Sequence, residues 1–304
     1  MKLFIIGNGF DIGHGLATRY WDFRNYLEQI NYTFLQSFEE HYDIYPRSSI
    51  DAIQKTLWNE FEQNLANIDE DTIIDQAVNI DMDLESGDIG IEDTLVAYFT
   101  NEYRYIKQLA KYLKSWVRTI RIRDVQPKTT LFDNDTDALF ITFNYTSSLE
   151  SVYKIDPTKV IHVHGSLHKY DDEPILGHGN IERITTIRDK RRKAEDLFDE
   201  KWSSICQVVE NYYNETFKDV RRYMYKLFPL RGKSIDEIHV IGLSISGVDL
   251  PYFEFINNVT NRNASWNIYC FSNTETTQKK SALLKCGVNE SCIRTMPTAE
   301  FYNA

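Results

Sequence analysis

The chain has 304 residues, 42% hydrophobic and 26% charged, with a formal net charge of −11. This is the composition of a soluble globular protein, long enough for one large α/β domain or for a core carrying insertions. Its acidity disfavours a surface built to hold nucleic-acid backbone or an anionic membrane, although loop amides can still hold a small anionic ligand. Cys206, Cys270, Cys286 and Cys292 form no C-x-x-C pair, so nothing argues for a zinc ribbon or a disulfide framework. The apolar run before the first glycine is four residues, too short for a signal peptide or a membrane span, and the cytoplasm is the expected location.

The first stretch, KLFIIGNGFDIGHGLATRY, reads as a buried parallel strand over Leu3 to Ile6, a glycine turn, and an amphipathic helix beginning at Arg19 and Tyr20. Gly7, Gly9, Gly13 and Gly15 permit close approach, and the turn's amides are placed to face a diphosphate; a tight strand-to-helix connection explains them equally well. Trp58, Phe61, Leu65 and Ile68 suit one face of a helix. Asp81 to Asp93 is an acidic, glycine-containing loop, and Thr94 to Arg123 carries a strong helical repeat.

Strands are predicted at Ala138 to Phe143, Val160 to His164, Glu237 to Gly242, Trp266 to Phe271 and Cys292 to Thr295. Helices are predicted at Ser147 to Lys154, from the SISGVDLPYF segment to about Asn261, and across Thr274 to Lys285. The glycines of LGHGN, Leu176 to Asn180, mark a mobile loop. Residues 181–230 read as an inserted helical hairpin, its basic cluster Arg188 to Lys193 being a solvated face. The fold class is α/β, Rossmann-like and doubly wound, with a mainly parallel sheet. It forms a single domain over 1–304 with helical insertions at about 31–125 and 181–230.

Ligands of such sheets sit beyond the carboxyl ends of the strands. Four strand ends are polar where the strand stops: GNGFD, TFNYT, HVHGS and GLSISGVD. If these strands are neighbours, Asn8, Asp11, Asn144, His164, Ser244 and Asp249 converge on one crevice. Each has a plainer reading. Asn144 can cap the following helix, Asp11 can cap the first, and Asp249 caps its own before Pro251. His162 is a satisfied strand-end histidine, and His14 and His178, each between glycines, are lid or ligand contacts or, on the plainer reading, solvent-exposed loop residues. Ser244 lies in G-L-S-I-S-G, which is not a nucleophile elbow, and a serine hydrolase is disfavoured.

The order G-N-G, T-x-N, H-G-S and G-x-S resembles the SIR2-like superfamily, whose members bind NAD in a Rossmann-like core; GLATRY resembles part of its NAD loop. More narrowly, LFIIGNGFDIGHGL with FNYTSSLE and HVHGSL resembles the bacteriophage abortive-infection AbiH family. The resemblance implies an NAD hydrolase releasing nicotinamide and ADP-ribose in anti-phage defence. Asn144 matches the asparagine at the nicotinamide ribose and His164 the catalytic histidine. Gly7, Gly9, Gly242 and Ser244 match positions lining the dinucleotide, and Asn8, Phe10, Asp11, Gly15, Thr142 and Gly165 complete the expected binding set. Thr146 stands where sirtuin deacylases have aspartate, and their zinc ribbon has no counterpart, so a deacylase is disfavoured. NAD is then substrate, no metal is implied, and silence in a resting cell implies a homo-oligomer, an activating partner or a phage trigger. Nucleic acid and membrane are not expected partners.

Two other functions compete. A catalytically silent NAD or ADP-ribose sensor would use the same turn and signal through its helical insert. A metal-dependent hydrolase is suggested by His162, His164, His168 and His178 with Asp171 and Asp172, since H-x-H on a strand can share a metal.

Overall fold

Leu3 and Ile5 of the first strand alternate with Phe4 and Ile6, and all four side chains are fully buried. Leu3 and Ile5 join one hydrophobic cluster and Phe4 and Ile6 another, as a strand covered on both faces requires. The computed structural model describes residues 1–70, 105–133, 137–167, 171–245 and 247–303. These residues divide into two compact units.

The first unit comprises Met1–Asp22, Leu113–Ile175 and Asp219–Ala304. Its strands are β1 (Lys2–Ile6), β2 (Leu139–Thr142), β3 (Val160–His162), β4 (Glu237–Ile241), β5 (Ser265–Cys270) and β6 (Ile293–Pro297). All pairs are parallel and the order is β3-β2-β1-β4-β5-β6, that of a doubly wound dinucleotide-binding sheet, with its reversal of direction between β1 and β4. The expected fold class and all six expected strands are therefore present.

The helices of this unit that bear on the site are α1 (Asn8–Gly13), α7 (Ser148–Tyr153), α10 (Leu250–Val259), α11 (Asn273–Lys285) and α12 (Thr298–Tyr302). One sheet face is covered by Tyr252, Phe253 and Ile256 of α10, Leu283 of α11 and the 3-10 segment Val220–Leu230. The other is covered by Phe10, Leu149 and Phe301 with Phe132. Val220, Leu227 and Leu230 lie in the sheet's core, so the segment after residue 218 is not part of the helical hairpin, contrary to the sequence reading of 181–230. Its apolar periodicity is real, but the surface it covers is the sheet.

The second unit joins Phe23–Tyr112 and Leu176–Lys218, the bulk of the two expected insertions. It contains α2 (Tyr20–Ile30, from Phe23 onward), α3 (Tyr32–Glu40), α4 (Ile50–Ile53), α5 (Phe61–Asn64), the start of α6 (Tyr105–Thr119), α8 (Ile181–Asp196) and α9 (Glu200–Thr216). Trp58, Phe61, Leu65 and Ile68 are all buried, but not along one helix. A π turn at Gln54–Trp58 and a break at Glu60 (φ −124°, ψ 53°) let the rings of Trp58 and Phe61 stack at 4.6 Å. Packing of two large rings overrides the helical spacing. Glu39, almost fully buried, accepts from Arg24 at 2.8 and 3.1 Å and from Trp58 Nε1 at 2.7 Å, which satisfies its charge.

The hairpin of α8 and α9 is present as expected. Its basic cluster is paired, with Arg188 2.9 Å and Arg191 3.0 Å from Glu210 and Lys190 3.1 Å from Glu70. Asp199 caps α9 by accepting from Trp202 N at 3.0 Å. Asp199→Ala should cost about 1 kcal/mol, read as a lower urea midpoint with an unchanged slope. The LGHGN segment, expected as a mobile loop, is packed at its centre: His178 is fully buried, its backbone N–H donates to Thr216 O at 2.9 Å, and its carbonyl accepts from Lys218 N at 2.8 Å. The glycines are there because backbone passes close; a Cβ on Gly177 would lie 2.4 Å from Thr216 O. The acidic segment Asp81 to Asp93 and the first part of the Thr94 to Arg123 helix lie outside the described residues.

Candidate active site at the ends of four adjacent strands

The four polar strand ends belong to the contiguous strands β3, β2, β1 and β4. Between β1 and β4 the two turns are pressed together. Gly7 N–H donates to Ile241 O at 2.9 Å, Gly9 N–H to Gly242 O at 2.7 Å, and Phe10 N–H back to Gly7 O at 2.9 Å. These three amides are therefore spent inside the fold, which corrects the expectation that they face a diphosphate. A Cβ on Gly7 would stand 2.6 Å from Gly242 O and one on Gly9 2.7 Å from Gly242 Cα, so the glycines are required by contact between turns. The helix begins at once, at Asn8, and not only after residue 19.

Asn144 and His164 each stand two residues beyond the paired positions Thr142 and His162, on adjacent strands. Both are buried. Asn144 does not cap the next helix: its Nδ2 donates to Gly7 O at 3.1 Å, and its Oδ1 is buried with no hydrogen-bond partner. Its backbone N–H donates to the Thr142 hydroxyl at 3.1 Å, which gives Thr142 a role in shaping the strand end. His164 packs edge-on to Phe143, with ring centroids 4.9 Å apart, and its Nε2 stands 3.1 Å from Oδ1 of Asp249. Asp249 makes no side-chain cap on α10, contrary to the sequence reading; its carboxylate is turned to the imidazole. Gly165 adopts φ +78° with a would-be Cβ 2.4 Å from Glu173 O, holding the turn after His164 against residues 172–173.

Asp11 does not cap α1 either. It is fully buried and its Oδ2 accepts from the Thr146 hydroxyl at 2.5 Å, while Thr146 and Ser148 share a 3.0 Å hydrogen bond. Asn8 is held by donation to Thr18 O at 2.7 Å, and Ser244 is exposed. Gly15 is exposed at φ +82°, with open space where a Cβ would be. Thus Asn144, Asp11, His164 and Asp249 are tied into the strand ends by named contacts, whereas no such contact brings Ser244 to them.

Two expected histidines are corrected. His14 is buried, donating through Nδ1 to Phe10 O at 2.8 Å and accepting at Nε2 from the Tyr153 hydroxyl at 2.6 Å; His178 is buried in the second unit. An imidazole between glycines can fill the volume that they leave. His162 is the satisfied strand-end histidine expected, with Nε2 2.8 Å from Glu150 Oε1 and Nδ1 donating to Asn144 O at 3.4 Å. The two imidazoles of H-x-H thus face different carboxylates, and no metal-holding group of three His, Cys, Asp or Glu occurs among the described residues. Thr146, Ser148 and Glu150 were missed as site residues. Glu150 carries no sequence signal beyond its place in FNYTSSLE.

Residues 3–270 match the family described as bacteriophage abortive infection AbiH. The chain belongs to the AbiH family. That membership implies a role in bacteriophage abortive infection, and a search of curated proteins returns no match. Among the described residues of this AbiH-family chain, no helix is long and apolar enough to cross a membrane.

Burial raises the Asp11 carboxyl from 3.8 to about 6, opposed by Thr146, Ser148 and Asn144 and reinforced by Glu150. A raised carboxyl means that the native protein holds a proton which the unfolded chain releases. The contribution of Asp11 to stability is therefore greatest below about pH 4 and is lost as pH rises through about 6, by an amount on the order of 2 to 3 kcal/mol. Asp11→Asn, neutral throughout, should gain on the parent between about pH 4 and pH 7 in melts followed by circular dichroism. A difference between variant and parent that does not change with pH would show that the carboxylate is not destabilising.

Proposed function

We propose that this AbiH-family chain hydrolyses NAD to nicotinamide and ADP-ribose and acts in abortive infection by depleting NAD. The observation that carries the reading is the pair His164 and Asp249 beside Asn144 at the ends of β3 and β2, in a sheet of dinucleotide-binding order. The resemblance to SIR2-like proteins at Asn144 and His164 supports it. In NAD the bond from C1′ to the pyridinium nitrogen breaks with its electron pair going to nitrogen, so nicotinamide leaves neutral. The protein must then meet positive charge on the ribose and deliver water to C1′.

His164 is the base: it takes the proton of the attacking water, and Asp249 orients the imidazole and stabilises its charged form. Asn144 holds a ribose hydroxyl or the water through its free Oδ1. With the amides of Gly7, Gly9 and Phe10 committed, the diphosphate falls to the segment from Gly15 to Arg19, in which Gly15, Ala17 and Arg19 are exposed and Gly15 leaves open space. NAD is here the substrate, in the cytoplasm; the activity would be silent at rest until self-association, an activating partner or a phage trigger turns it on.

The test is nicotinamide release from NAD by the purified protein over a wide range of protein concentration. Release with stoichiometric ADP-ribose is the expected result. Calorimetric binding of NAD without release would replace the hydrolase by a sensor, and neither binding nor release would end both readings.

A further inference from the structure

Asp11 sits where a carboxylate is costly, and the packing of α1 does not ask for one. Its side chain is fully buried; Oδ2 takes the Thr146 hydroxyl, and Oδ1 has no hydrogen-bond partner. Among the described residues no lysine or arginine is paired with it. The charged group from α7 that acts on it is Glu150, of the same sign and itself 2.8 Å from His162, and from α12 Tyr302 is near enough to feel its charge. Asn144, whose side chain acts on Asp11, also has a buried acceptor oxygen without a partner. Two such oxygens, on side chains that are both more than nine-tenths buried, call for two donors. A vicinal diol supplies two adjacent hydroxyls, and a dinucleotide carries one next to its scissile carbon.

We propose that Asp11 is a catalytic carboxylate of this site, its free Oδ1 accepting the ribose hydroxyl adjacent to C1′ while Oδ1 of Asn144 accepts the next hydroxyl of the same diol. The assignment rests on the reading of the site as an NAD hydrolase. As the bond from C1′ to nitrogen breaks, positive charge grows on the ribose and the hydroxyl becomes more acidic. A desolvated carboxylate bonded to that hydroxyl then binds the transition state more tightly than the ground state. The proton stays shared between the hydroxyl and Asp11, water supplies the new bond to C1′, and the water's proton goes to His164. Thr146 fixes Oδ2 so that Oδ1 is the oxygen presented.

The test compares wild type, Asp11→Asn and Thr146→Val by nicotinamide release, ADP-ribose calorimetry and melting. Asp11→Asn keeps the shape and an acceptor for Thr146 but removes the charge. Its kcat should fall by about 100-fold or more while ADP-ribose affinity changes less than about tenfold and the fold is retained. Thr146→Val removes the donor that favours the ionised carboxylate, so the acidic limb of its kcat/KM profile should move to higher pH than in the wild type. An Asp11→Asn variant within about threefold of the wild-type kcat would overturn the assignment, as would an unmoved acidic limb in Thr146→Val. Absence of release by the wild type would instead overturn the hydrolase reading, and Asp11's role with it.

Discussion

Gly242→Ala should destabilise the sheet unit by about 4 kcal/mol or more, the range reserved for a specific structural lesion. Gly242 has φ +64°, and a Cβ there would stand 2.2 Å from Phe10 N and 2.6 Å from Gly9 C, both backbone atoms with nowhere to go. Moving them breaks the 2.7 Å bond from Gly9 to Gly242 and separates the turns of β1 and β4. Gly232 is the control. It has φ +75° but nothing within 4 Å of its would-be Cβ, so Gly232→Ala carries only the left-handed backbone cost of about 1 to 2 kcal/mol. Urea unfolding of the two variants separates the terms, and equal losses would refute the steric account.

The second large effect is on turnover. His164→Ala and Asn144→Ala should each lower nicotinamide release by roughly two to four orders of magnitude. Their stabilities should differ. Asn144→Ala leaves Gly7 O without its 3.1 Å donor and should cost about 1 to 2 kcal/mol, whereas Asn144→Asp restores the volume but sets an acceptor against that carbonyl. In His164→Ala the lost ring leaves Asp249, which is partly open to solvent, to be hydrated. Full release by either alanine variant would remove that residue from the mechanism.

The strands were legible because residues such as Leu3 to Ile6 are apolar without interruption, which only a doubly covered strand tolerates. The convergence of β1, β2, β3 and β4 was legible because each ends in polar residues at a glycine or an asparagine. What the glycines do was not: Gly7, Gly9 and Gly242 serve one another's backbones, and no local pattern distinguishes that from a phosphate cradle. Asp249 and Asp11 both looked like helix caps, since a cap and a side chain turned to a distant imidazole or hydroxyl have the same sequence. Trp58 and Phe61 kept helical spacing while stacking across a break, because burial of two rings outweighs the continuity of a single helix.

The central pair of strands joins Lys2 to Glu237, and the turn after β1 is set by contact between residues 7–10 and 242. Translation at about 5 to 20 residues per second leaves β1 waiting on the order of 10 to 50 seconds for its partner to leave the ribosome. If the protein has the proposed NAD-depleting activity, this delay keeps the site unassembled while the chain is being made. A nascent or prematurely ended chain lacking β4 has Asn144 and His164 but no Gly242 against which to set the first turn, so interrupted synthesis yields fragments without an assembled site.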